Sequence, residues 1–157
     1  MANQQHLNLL RQGGASTWNT WRRSHPARLP DLRGADLSGA ELGNYNLSMA
    51  DLSEANLHNA DLSASDLIEA NLIGANLVNA DFSKAKLIEA KLAFSDLGGA
   101  NLVNADLSGA DLTGANLLDA NLRGATLNWA RLTDALITDE QLSTVKSRLE
   151  ERYPRSI

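Results

Sequence analysis

The chain has no cysteine, only three prolines, and seven aromatic side chains among its 157 residues: two Phe, two Tyr and three Trp. Without cysteine, neither a disulfide framework nor a cysteine-based metal site is available. So few rings exclude a wide interior filled by aromatic packing. No stretch approaches the ~20 consecutive apolar residues of a membrane-spanning helix. The opening segment MANQQHLNLLRQGG lacks an apolar run of signal-peptide length, so a cytoplasmic location is expected. Marks of catalysis are missing as well. His6, His25 and His58 stand apart, and none pairs with another His at metal-ligand spacing. Ser and Asp are plentiful, but they fall at slots of a repeat rather than in a Ser-His-Asp arrangement. The glycines Gly34, Gly39, Gly74, Gly99, Gly109, Gly114 and Gly124 all fall in one repeat slot, and no phosphate-binding element follows them. Neither an enzyme nor a cofactor-binding or metal-binding protein is expected.

What is present is a count of five. In NLVNADFSKAKLIEAKLAFSDL, starting at Asn76, a large apolar residue recurs at every fifth position with a small residue two before it. Five residues fit neither the 3.6 period of a helix nor the 2.0 period of a strand. Within a unit such as Ala75-Asn76-Leu77, Ala and Leu point one way and Asn the other, as in an extended chain. The next inward residue, Ala80, comes three later, across residue types that favour tight turns. An extended piece followed by a corner, repeated, makes a coil.

The register runs without a break from Leu32 to Ile137, giving 22 units; the centre is Leu in 20 of them, with Phe82 and Ile137 as the exceptions. The slot two before the centre is Ala in 18, with Pro30, Tyr45, Ser65 and Ser95 as departures. No insertion shifts the frame, which marks a repeat architecture. Each buried Leu contributes roughly 1.5–3 kcal/mol, so the stack does not depend on covalent staples.

The unit A-(D/N)-L-X-X, as in ADLSG, ANLHN and ANLVN, resembles that of the pentapeptide repeat family. The resemblance implies an all-β solenoid: a right-handed quadrilateral β-helix, one pentapeptide per face and 20 residues per coil. The 22 units then make about 5.5 coils, ~26 Å long at ~4.8 Å per coil. The leader WNTWR, shortly before the first repeat, is similar to openings of bacterial and especially cyanobacterial members.

The ends lack the five-residue period, and short α-helical caps are expected at both. Residues 1–30 read as an N-terminal cap of two short helices. Leu7 and Leu10 sit at helical spacing with Gly13 as a stop. Ser16 or Thr17 is then an N-cap and Pro26 a terminator, with Trp18 and Trp21 plugging the open first coil. Residues 31–138 form the rod. Residues 139–157 read as a capping helix and tail, with Thr138 and Gln141 at capping-box spacing. Leu142, Val145 and Leu149 share a helical face there, and Pro154 ends it. Tyr45, the largest misfit in the Ala slot, is expected to lean outward beside Ser65, partly buried at most, with its hydroxyl in solvent.

Function must then lie on the outer surface, where residues 20 apart stack. One column before the centres reads Asn46, Asp66, Lys86, Asp106, Thr126, with Lys86 expected to balance its two aspartates. A second reads Asp36, Asn56, Asn76, Asp96, Asn116. A third reads Glu41, Asp61, Asp81, Asn101, Asn121, and its three consecutive acids form a candidate acidic ridge. Ile68, Ile73, Val78, Ile88 and Phe94 are the candidate protein-contact surface, since exposed apolar residues mark such surfaces. Residues 31–140 carry 17 acidic and six basic side chains, whereas residues 1–30 carry four Arg and no acid. An acidic rod repels phosphates, so direct nucleic-acid binding is not expected. The reading is a monomeric, non-enzymatic interaction scaffold for an unidentified protein partner. The alternative that the resemblance raises is a DNA mimic that binds DNA gyrase or another topoisomerase.

Overall fold

The computed structural model describes residues 1–146. From Asp31 onward the chain is paired to itself at a constant offset of 20. Parallel one-residue bridges join Asp31 to Asp51, Asp36 to Asn56, Glu41 to Asp61 and Asn46 to Asp66, and continue in step to Asn116–Leu136. Each coil therefore has four faces, here numbered 1 to 4 by their first centres Leu32, Leu37, Leu42 and Leu47. Faces 1 and 3 are opposite, as are faces 2 and 4. The bridges are too short to be named strands. Two helices complete the described chain, α1 (Gln4–Ser24) and α2 (Asp139–Ser143).

One unit shows why five residues suffice. Its backbone N–H groups need acceptors, because an unpaired buried polar group costs as much as a lost hydrogen bond. In the unit 75–79, Ala75 donates to Leu72 O at 3.1 Å across the preceding corner. Asn76 donates down the rod to Ala55 O at 2.9 Å, while Leu77 and Asn79 donate upward to Asp96 O at 2.7 Å and Gly98 O at 3.0 Å. The fifth, that of Val78, is taken by the side-chain Oδ1 of Asn76 at 3.2 Å. The Asp or Asn before each centre is thus a structural acceptor that closes an Asx-turn.

Each corner is a four-residue turn closed from the next small residue back to the centre, as in Ala80 N to Leu77 O at 3.0 Å. Positive φ at its third residue alone is the type II pattern. Seven glycines take this slot, but so do 14 other residues. Asn44, Asn59, Asn79, Asn104, Asp119 and Asp134 are side chains that tolerate it. Met49, Glu54, Ala64, Glu69, Lys84, Glu89, Phe94 and Trp129 are not. The interior holds the centres and the small slots, nearly all buried. Ser65 and Ser95 fit the small slot because each hydroxyl donates to a turn carbonyl, Leu62 O at 2.7 Å and Leu92 O at 2.8 Å.

The N-terminal edge of the first coil lies against α1. The helix is kinked at Gly14 (φ 60°, ψ 176°), one residue beyond the expected stop, and so consists of two helical segments. Asn3 caps it by accepting from Gln5 and His6, and it ends two residues before Pro26. Trp18 is fully buried, and Trp21 is partly buried with its ring 5.1 Å from that of Trp18. The helix also meets the backbone of the coil. Asn3 N donates to Asp31 O, His6 Nδ1 accepts from Asp31 N at 3.0 Å, and Arg11 reaches Asp36 O at 2.9 Å. Trp18 Nε1 donates to Asn46 O at 2.7 Å, Asn19 accepts from Asn46 N at 2.7 Å, and Arg22 donates to Ser48 O at 2.8 Å. Side chains here do what the next coil does elsewhere.

Tyr45 corrects one expectation. It is buried, 5 % exposed, and its hydroxyl points to Leu10 O at 3.4 Å beneath α1 instead of into solvent. Its ring lies 6.3 Å from that of Trp18. The large residue in a small slot is accommodated because α1 covers it, and burial raises the phenol's pKa.

At the other end α2 opens with the expected capping box between Thr138 and Gln141. It is shorter than expected: it stops at Ser143, so Val145 lies outside it, although Leu142 and Val145 both pack on the core. Leu149 and Pro154 lie outside the described residues. Gln141 Nε2 donates to Leu117 O at 2.6 Å and Ala120 O at 2.9 Å, and Lys146 N returns to the rod register by donating to Ala125 O at 2.9 Å.

Candidate functional site

The outward slots divide into columns used by the fold and surfaces left over. The acidic ridge belongs largely to the first kind. Asp61 Oδ1 accepts from Ser63 N at 2.8 Å; Asp81 Oδ1 accepts from Ser83 N at 2.7 Å and from Asn101 Nδ2 at 3.0 Å. Glu41, at the top of the ridge, is exposed. Along the second column amides link the coils, Asn56 to Asp36 at 3.1 Å, Asn76 to Asn56 at 3.2 Å and Asn116 to Asp96 at 2.8 Å. The carboxyl of Asp36 is held below the usual carboxylate range, chiefly by the hydroxyl of Ser38.

The ion pairs among the described residues lie in a fourth column that the sequence reading did not single out: Asp31, Asp51, Asn71, Lys91, Asp111, Arg131. Arg33 bridges Asp31 at 2.9 Å and Asp51 at 3.5 Å, and Arg131 pairs with Asp111 at 3.5 Å. Lys86 stands between Asp66 and Asp106 in its own column, as expected, but takes part in none of these close pairs. Among the described residues no group of three or more His, Asp or Glu is arranged to hold a metal ion. No described helix is long and apolar enough to cross a membrane.

The five apolar candidates do not form one patch. Ile68 and Ile88 stack on face 4, both half-buried. Ile73 is exposed on face 1. Val78 lies on face 2, opposite the two isoleucines, and Phe94 stands at the corner between faces 1 and 2. The structure brings Val78 and Phe94 together. They line one shallow groove on face 2 with His58, Gly74, Asn76 and Asp96.

Phe94 is 70 % exposed and has φ 58°. Its ring leans over the corner of the next coil, where a Cβ on Gly114 would come within 2.7 Å of it. Glycine at Gly114 therefore serves both the backbone and the ring. Below, Gly74 leaves the other side of the corner bare. The groove thus holds an exposed aromatic ring at a position that a left-handed backbone makes unfavourable by about 1–2 kcal/mol.

Sequence reasoning missed other exposed apolar residues: Met49, Leu118, Trp129 and Leu136, with Trp129 62 % exposed. Their slots could have been read from the register, since Leu118 follows a centre, Leu136 precedes one, and Met49 and Trp129 are corners.

A parallel solenoid of five-residue faces, with an inward Leu and Ala and an Asx acceptor in each unit, is a defined class of repeat protein. The family model described as pentapeptide repeats (8 copies) matches residues 31–67, 65–102 and 100–139. The chain belongs to the pentapeptide repeat family, whose members fold as right-handed quadrilateral β-helices.

Among solved structures it is similar to the pentapeptide repeat protein Rfr23 from the cyanobacterium Cyanothece 51142. The identity is 36%, covering 63% of this chain and 68% of that one, with TM-score 0.59. A pentapeptide repeat protein of the Arabidopsis thaliana thylakoid lumen is 30% identical over 70% of this chain and 73% of its own, with TM-score 0.43. QnrB1, a plasmid-mediated fluoroquinolone resistance protein, is 20% identical over 74% of this chain and 68% of its own, with TM-score 0.35. No curated protein matches the chain.

Proposed function

We propose that the protein is a non-enzymatic interaction scaffold: a rod of about 5.5 coils, capped at both ends and monomeric, that binds a protein partner through its outer faces. Repeat proteins present extended surfaces of this kind. The observation that carries the reading is Phe94, a largely exposed ring on a strained corner with glycines above and below it in its column. A residue that is costly to the fold and contributes little to the core is best explained by what it meets outside. The acidic columns support a charge-based role less well, because their Oδ1 atoms close turns and link coils.

An affinity capture from the native host tests the reading, with the intact chain, Phe94→Asn and the double variant Ile68→Thr, Ile88→Thr as baits. Asn is at home in these corners, as Asn79 and Asn104 show. A protein retained by the intact chain and by the face 4 variant, but lost with Phe94→Asn, is the expected result. Loss with the face 4 variant alone would move the contact to Ile68 and Ile88. Enrichment of DNA gyrase by all three baits would replace the scaffold with the DNA mimic, and no enrichment over bare resin would remove both.

A further inference from the structure

The four faces differ in fixed charge. Face 1 carries Arg33, Lys91 and Arg131, face 3 Lys84 and Arg123, and face 4 Lys86. Face 2 carries no Lys or Arg from its own coils, and its acids are Asp36, Asp96 and Asp119. Asp36 has Arg11 close by, where that side chain meets its carbonyl. Asp96 lies in the groove two residues from Phe94, and no described cation pairs with it. Its Oδ1 is occupied by Gly98 N at 3.0 Å and Asn116 Nδ2 at 2.8 Å, which fixes the carboxylate in place. Next to it Gly98 leaves the floor flat; a Cβ there would stand 3.2 Å from Asp96 Oδ1.

We propose that this groove is a reading site for an arginine side chain of the partner, which stacks its guanidinium on Phe94 and pairs with Asp96. The inference rests on the scaffold reading and names the chemistry of the partner. A planar cation satisfies both groups at once: its face lies on the ring, and its edge donates to a carboxylate already oriented by two hydrogen bonds. A lysine ammonium matches the charge but has no planar face to stack. A purely apolar side chain would cover Phe94 and strip water from Asp96 without replacing its hydrogen bonds.

The test is amide NMR of the full chain titrated with three blocked tripeptides, Gly-Arg-Gly, Gly-Lys-Gly and Gly-citrulline-Gly. The arginine peptide should shift the amides of residues 74–78 and 94–98 before others, with affinity in the millimolar range. It should bind about five-fold more tightly than the lysine peptide, and the neutral citrulline peptide should leave the groove unshifted. Phe94→Asn and Asp96→Asn should each weaken arginine binding by about five-fold or more. Both variants keep the fold, because Asn occupies equivalent corners and preserves the acceptor for Gly98 N, as Asn76 does for Val78.

Equal shifts for arginine and lysine, shifts spread equally onto face 3 around Asp61 and Asp81, or binding indifferent to Phe94→Asn would each overturn the proposal. The two readings fail separately. Capture that depends on Phe94 with no arginine preference would keep the scaffold and reject the arginine. An arginine site with no captured protein would do the reverse.

Discussion

The two ends of the rod are closed by different means. At the N-terminal end the first centres Leu32, Leu37, Leu42 and Leu47 are at most 2 % exposed, beneath a helix with no five-residue register. At the other end Leu132 and Ile137 remain half-buried. There the chain keeps the register: Lys146 follows Thr126 by 20 residues and donates to Ala125 O, just as Thr126 donates to Ala105 O. A coil edge is a row of orphan donors and acceptors. The comparison shows that it can be closed by continuing the pattern or by an unrelated element whose polar side chains match its spacing.

The contrast can be broken most severely at Trp18. Trp18→Ala removes a fully buried ring and the donor to Asn46 O, and a loss of about 3–5 kcal/mol is expected in chemical unfolding. An effect near zero would mean that α1 adds nothing to the rod. At the opposite end Gln141→Ala removes two donors to the last coil and one acceptor for Thr138 N. About 1–3 kcal/mol is expected, smaller than for Trp18 because little apolar area is lost. Equal losses at the two ends would show that the closures are equivalent.

Acid should distinguish the ends further. His6 accepts from Asp31 N through Nδ1, so the folded cap holds the neutral ring. Burial pushes its pKa below the ordinary 6.5, with Arg28 and Arg22 acting the same way and Asp31 opposing. The unfolded chain then binds the proton more readily than the folded one, so stability falls as pH drops below about 6.5. The denaturation midpoint of the natural chain should fall between pH 7.5 and 5.5. His6→Gln should flatten that dependence, whereas Gln141→Ala should leave it unchanged. A parallel decline in His6→Gln would remove His6 as its source.

The smallest expected change is a gain, in the second coil, away from both ends. Ala64→Gly relieves a left-handed Ala (φ 52°) at an exposed corner. The relief of about 1–2 kcal/mol is partly offset by the added freedom of glycine when unfolded, leaving about 0.5–1 kcal/mol. A raised midpoint with an unchanged response of both end variants would show that this coil and the ends contribute independently.

The interior was legible because one rule repeats: a centre such as Leu77 and a small residue such as Ala75 can occupy only one side of the chain. The reason for Asp and Asn before each centre was only half legible. They read as a surface ridge, and their role as acceptors for the N–H two residues on emerged from the turn geometry. Tyr45 misled because a helix distant in sequence covers its slot, and no local pattern announces that. The groove was the least legible part. Phe94 and Val78 stood out as apolar, but their union with Asp96, and the separation of Ile68 and Ile88 from them, requires counting each residue onto its face.

The constant offset of 20 also governs how such a chain can change length. Duplicating residues 71–90 would add one coil and return every later residue to its own face, so Phe94 and Asp96 would keep a copy of Gly74, Asn76 and Val78 beneath them on face 2, and only His58 would move a coil further off. Duplicating a single pentapeptide before residue 70 would satisfy the same hydrogen bonds, yet turn everything after it by a quarter of a revolution relative to α1. The backbone would accept both events almost equally, and only a partner that touches two coils at once would detect the difference. Rods of this kind can therefore gain or lose binding geometry through a shift in phase, with no residue of the contact surface replaced.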